Sequence, residues 1–122
     1  MITGWGFHRP PPLGWPGELG YPGRKGAEMK TRIWTLAEDT VLKPNLIAEH
    51  GLAFFLATAD GDILFDTGQG FAAVRNAAVM GIDLKRASAI VLSHGHYDHT
   101  GGLASVLAAT GPGTVRSKLI RR

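Results

Sequence analysis

The chain's apolar and polar positions fall into regular patterns from Lys30 onward. Thr31 to Ala37 carries Ile33, Trp34 and Leu36 and predicts a strand. Glu38-Asp39-Thr40 interrupts it, and Val41-Leu42 before Lys43-Pro44-Asn45 reads as extended chain entering a turn. Leu52 to Ala57 predicts a buried strand, Asp60-Gly61 a hairpin turn, and Ile63-Leu64-Phe65 its antiparallel partner. After Asp66-Thr67-Gly68, residues Phe71, Val74 and Ala78 recur at helical spacing, and Gly81 suits the helix end. Asp83 is placed to cap a short turn through Leu84, Lys85 and Arg86. Ala89 to Leu92 is apolar without alternation and predicts a strand buried on both faces. Leu103, Val106 and Leu107 form the stripe of a second helix, ended by Gly111-Pro112-Gly113. The order β, ββ, α, β, α is an α/β pattern with a mixed sheet.

The two ends do not share this patterning. Residues 1–29 read as a Pro/Gly-rich disordered extension, with Pro10-Pro11-Pro12 and no strand or helix periodicity. Its Trp5, Phe7, Trp15 and Tyr21 also allow a proline-and-aromatic ligand for a binding module. It lacks the apolar core of an export signal, which points to a cytoplasmic protein, and Met29 stands where a natural start would fit. Residues 30–111 form the single patterned domain, and 112–122 read as a basic tail. Charge follows the same division. Residues 1–30 hold four basic and two acidic groups, 31–111 five and eight, and 112–122 four and none. The net charge of +3 therefore comes from the ends, not from a basic folded face, and no nucleic-acid partner is expected. No apolar run approaches membrane-spanning length.

The chemistry concentrates in Ser93-His94-Gly95-His96-Tyr97-Asp98-His99-Thr100-Gly101-Gly102, which holds three of the five histidines. The chain has no cysteine, so imidazole and carboxylate are the only strong metal ligands available, a donor set of catalytic rather than structural zinc. His94 and His96 stand two apart and in an extended loop project to one side, with Asp98 in the same alternation and His99 offset from it. One short loop can thus serve one metal or a pair. Paired metals can hold a bridging hydroxide and clamp a substrate oxyanion. Gly95 and Gly101-Gly102 leave room for tight backbone bends or a close substrate approach.

These ten residues resemble the His-x-His-x-Asp-His signature of the metallo-β-lactamase superfamily, and Ile63-Leu64-Phe65-Asp66-Thr67-Gly68 is similar to its first motif. Ala48-Glu49-His50-Gly51-Leu52 more narrowly resembles the dihydropterin-methyl-ribofuranosylaminobenzene-phosphate synthase-like branch. The resemblance implies the N-terminal half of an αββα sandwich and a zinc-dependent hydrolase. It makes His94 and His96 ligands of a first metal, and Asp98 and His99 ligands of a second. Asp98 also becomes a candidate for proton handling, and Asp66 the residue that orients the loop. His50 and Tyr97 become candidates for the pocket. A metal-bound hydroxide would attack an ester, amide or phosphoester, and the branch suggests a phosphorylated pterin-type small molecule.

The resemblance is incomplete. Family members supply further histidines and a bridging aspartate from later segments, whereas no His, Asp or Glu follows His99 here. The expectation is therefore a truncated half-domain. It would be either a catalytically inactive metal-binding fragment or a subunit completed by a partner chain or by self-association. Asp66-Thr67-Gly68 after two apolar residues also matches an aspartic-protease strand, a remote alternative.

Overall fold

A computed structural model describes residues 31–111 and the backbone of 116–119. The expected disordered extension lies outside the described residues. Five strands form one sheet in the order β1-β2-β3-β4-β5. They are β1 (Arg32–Ala37), β2 (Ala53–Thr58), β3 (Gly61–Phe65), β4 (Ala87–Leu92) and β5 (Arg116–Leu119). Neighbours β1–β2 and β2–β3 run antiparallel, whereas β3–β4 and β4–β5 run parallel. Helix α1 (Ala72–Val79) connects β3 to β4, while the short α2 (Tyr97–Thr100) and α3 (Leu103–Thr110) lie between β4 and β5. The α/β class and the mixed sheet match the sequence reading. β5 was not foreseen; it lies in the stretch read as a basic tail, where the sequence shows no apolar run.

The hairpin is set one residue earlier than expected. Thr58 pairs with Gly61, so the turn residues are Ala59-Asp60, and Thr58 Oγ1 ties the turn by donating to the Gly61 carbonyl at 2.7 Å. Strand alternation then sorts the side chains. Phe55, Leu64 and Ile90 face inward and are fully buried with Leu36 from β1, against Ala72, Ala73 and Ala77 of α1 and Val106 of α3. A register shift between Thr35 and Ala37 lets both Leu36 and Ala37 point into this core.

Two expected helix stripes hold only in part: Val74, Leu103 and Val106 pack on the core, but the residues expected beside them do not. In α1, Phe71 is 63% exposed and Ala78 is on the outside, while Ala72, Ala73, Asn76 and Ala77 are buried. Small side chains let the helix lie close on the sheet, and Asn76 turns inward because three backbone groups need it. Its Nδ2 donates to the Leu36 and Ile47 carbonyls at 2.8 and 2.9 Å, and its Oδ1 accepts from Ile47 N–H at 3.0 Å. In α3, Gly102, Val106 and Thr110 face inward at a spacing of four, and Leu107 is 46% exposed. β4 differs too: Ile90 and Leu92 are buried, but Ala89 and Val91 on its other face are only half-buried. The expected stops do occur. Gly81 (φ 72°) and Gly111 (φ 79°) follow the two longer helices, and Asp83 accepts from Lys85 N–H at 3.0 Å to cap the turn Leu84–Arg86.

Candidate metal centre

The site forms where β3 and β4 end. β3 delivers Asp66, whose φ of 57° lies in the left-handed region, where Asp is tolerated better than most residues. Its backbone N–H still pairs with the Val91 carbonyl at 2.8 Å, so the turn begins in register with the sheet. The Asp66 side chain is fully buried and turned toward the loop after β4. Oδ1 accepts from Ser93 N–H at 2.8 Å, while Oδ2 accepts from Ser93 Oγ–H and contacts His99 Nδ1, both at 2.7 Å.

These bonds fix two imidazoles. Against a carboxylate oxygen, His99 Nδ1 is the donor, and Nε2 is left as a free lone pair. Ser93 has given its one hydroxyl proton to Asp66, so at 2.8 Å its oxygen accepts from His94 Nδ1. His94 Nε2 is freed in the same way. The rings of His94 and His96 lie 4.6 Å apart edge to face, and those of His94 and His99 4.2 Å apart.

The structure brings His94, His96 and Asp98 together, each offering a ligand atom within 4.8 Å of the others. It does so by a different route from the expected extended loop. His96 is the N-cap of α2, its carbonyl accepting from the His99 and Thr100 N–H groups at 3.1 Å, so Asp98 and His99 project from a helical turn. The 3.6-residue period therefore separates His99 from Asp98 by about 100° on that turn. His99 Nε2 still stands 3.4 Å from Asp98 Oδ2.

Three loops interlock through backbone bonds. Leu52 N–H donates to the Asp98 carbonyl at 3.2 Å and Gly68 N–H to the Leu52 carbonyl at 2.9 Å. Thr67 donates to the His99 carbonyl through both N–H and Oγ1, each at 2.9 Å. The approach is so close that a Cβ at Gly51 would strike the Asp98 carbonyl, and one at Gly102 the Thr67 carbonyl.

Two residues here carried no role in the sequence reading. Glu49 Oε1 accepts from Gln69 and Gly70 N–H, and Oε2 from Phe71 and Ala72 N–H, at 2.9 to 3.3 Å. Asp39 Oδ1 lies 3.1 Å from His50 Nδ1 and accepts from Gly51 N–H at 3.2 Å. Glu49 had a detectable signal, since the helix starting near Phe71 offers no capping side chain of its own. Asp39 had none. His50, with Asp98 and His99, lines an open cavity of about 310 Å³ beside the site. Tyr97 does not line that cavity, and it is 68% exposed. Asp66, buried with both oxygens engaged, cannot present its carboxylate to a substrate as an aspartic-protease site requires.

Comparison with known proteins decides the family. A model described as the metallo-beta-lactamase superfamily matches residues 46–122, more than half the chain. The chain belongs to the metallo-beta-lactamase superfamily. The match runs to residue 122, so it takes in β5 and the stretch read as a basic tail.

The 7,8-dihydropterin-6-methyl-4-(beta-D-ribofuranosyl)-aminobenzene-5'-phosphate synthase of Methanocaldococcus jannaschii is 35% identical over 82 residues, 62% of this chain and 28% of its own length. Among solved structures, a metallo-beta-lactamase of Cronobacter sakazakii, in a HARLDQ-motif mutant, matches with TM-score 0.50 and 30% identity, over 70% of this chain and 30% of its own. A second structure described as a metallo-beta-lactamase of that organism matches with TM-score 0.51 and 26% identity, over 70% of this chain and 29% of its own. The chain thus spans about three tenths of the length of these superfamily relatives.

Proposed function

We propose that this chain carries the metal site of a zinc-dependent hydrolase acting on an ester, amide or phosphoester. The convergence of His94, His96 and Asp98 within 4.8 Å is the observation that carries the reading. The donors fit such an ion: imidazole and carboxylate, with no thiolate in the chain. In this reading His94 and His96 hold a first metal, and Asp98 and His99 a second. When bound, divalent metal supplies Lewis-acid activation of water and stabilises charge developing on the substrate.

The chain's own residues do the rest. Asp66 and Ser93 keep protons on the Nδ1 atoms of His99 and His94, so the Nε2 lone pairs stay directed outward. Asp98, about one-third exposed, stands at the solvent edge of the site, where a carboxylate can hold a proton during hydrolysis. The cavity bordered by His50 is the proposed approach for substrate. A phosphorylated pterin-type substrate is the finer proposal, supported by the name of the Methanocaldococcus jannaschii relative.

A second reading is a metal-binding subunit that is inactive alone and completed by a partner chain. It is supported by the half-buried apolar residues Phe54, Leu56, Ile63 and Phe65 on the sheet face away from the core. Metal content measured with esterase and phosphodiesterase turnover, for the chain and for His94→Ala, tests both readings. The hydrolase reading expects bound zinc and turnover that His94→Ala reduces to background. Bound zinc without turnover favours the second reading, and a chain that retains no divalent metal defeats both.

A further inference from the structure

We infer that His50 is itself a metal ligand, so that His50 Nε2 joins Asp98 Oδ2 and His99 Nε2 around the second cation position, beside the first at His94 and His96. The inference rests on the metal-centre reading above and extends it to a histidine outside the loop motif.

Distance is the first argument. His50 Nε2 stands 3.7 Å and His99 Nε2 3.4 Å from the same oxygen, Asp98 Oδ2. Both separations exceed an ordinary N–H···O bond of about 2.7–3.2 Å. Ligand atoms on a tetrahedral zinc ion, with bonds of about 2.0–2.1 Å, lie about 3.4 Å from one another. Each of these two nitrogens is therefore spaced from the Asp98 oxygen as two atoms that share an ion are, not as atoms bonded to each other.

Orientation is the second. His99 Nδ1 rests on Asp66 Oδ2 at 2.7 Å, and His50 Nδ1 rests on Asp39 Oδ1 at 3.1 Å. A carboxylate on Nδ1 holds the proton there, fixes the ring and leaves Nε2 able to coordinate. The two histidines come from segments 49 positions apart in sequence, yet each has a carboxylate behind it and Asp98 in front.

Support from the backbone is the third. Gly51, next to His50, has no side chain to collide with the Asp98 carbonyl, and Leu52 N–H donates to that carbonyl at 3.2 Å. Asp39 is held by Gly51 N–H at 3.2 Å. The segment carrying His50 is thus pinned against the residue it would share a metal with. His50 is 70% exposed, so the proposed position opens to the cavity of about 310 Å³ and leaves coordination sites for water or substrate.

The test uses the full chain, stripped with chelator and dialysed against micromolar zinc, with metal counted per chain and imidazole ligation read by X-ray absorption. Wild type should hold two ions. His50→Ala should hold one, with second-site affinity reduced at least roughly tenfold, and Asp39→Asn should weaken the same site by about 10–100-fold. Circular dichroism checks that these exposed substitutions leave the fold intact. Two ions bound by His50→Ala at wild-type affinity, or a single ion in wild type, would overturn the assignment while leaving the His94–His96–Asp98 centre standing. A wild-type chain binding no zinc would overturn the metal centre as a whole, and His50 with it.

Discussion

Asp66 shows how much one residue can organise. It accepts three hydrogen bonds from the loop carrying the candidate ligands, and its backbone occupies a left-handed conformation. Asn tolerates that conformation about as well as Asp, so Asp66→Asn removes the charge and part of the accepting capacity without adding backbone strain. The substitution should weaken divalent-metal binding by about 10–100-fold, measured by competition with a chromogenic chelator. Unchanged affinity would mean that His99 does not depend on the carboxylate for its orientation. The role of Asp66 was legible in the sequence because Asp-Thr-Gly follows an apolar strand and belongs to a motif. Asp39 was not legible: its partners lie 11 and 12 residues away, and no local pattern reveals that an acidic side chain will bond to a distant segment, whereas Glu49 was signalled only by the missing cap on α1.

At the level of elements, the positions of β1 to β4 were legible, but neither the single buried face of β4 nor the faces of the helices were. A strand's period of two leaves one choice of face, and Phe55, Leu64 and Ile90 follow it. For α1 the larger residues suggested the stripe, yet Ala72, Ala73 and Ala77 make the contact, because close packing on a sheet favours small side chains. The start of α1 is also completed from outside. Its N-cap Phe71 provides no side-chain bond and its first turn has no acid, so Glu49 supplies both acceptor oxygens and negative charge. Glu49→Gln keeps the shape but replaces an acceptor oxygen with an NH₂ facing N–H donors. It should cost about 1.5–3 kcal/mol in urea unfolding, and lower Tm by roughly ten degrees. A loss under about 0.5 kcal/mol would indicate that water replaces the carboxylate without penalty.

The described residues form a sheet with two unlike faces. One is closed by α1 and α3 around a continuous core. The other carries two apolar rows across the strands, Ile33–Leu56–Ile63–Ala89 and Phe54–Phe65–Val91, none of them in that core. The sequence expressed this as unbroken apolar runs, from which β4 was expected to be buried on both sides. The runs were legible, but what lies against each face depends on contacts that no local pattern encodes. Contiguous half-exposed apolar rows favour association in water. In multi-angle light scattering at micromolar concentration, the chain should therefore exceed the mass of one copy. The double change Leu56→Thr with Phe65→Thr should shift it toward monomer, since Thr keeps strand propensity while removing apolar area. Circular dichroism separates this shift from unfolding. A wild-type chain that stays monomeric across that range would sink the expectation, and would mean that this face contributes nothing to self-association.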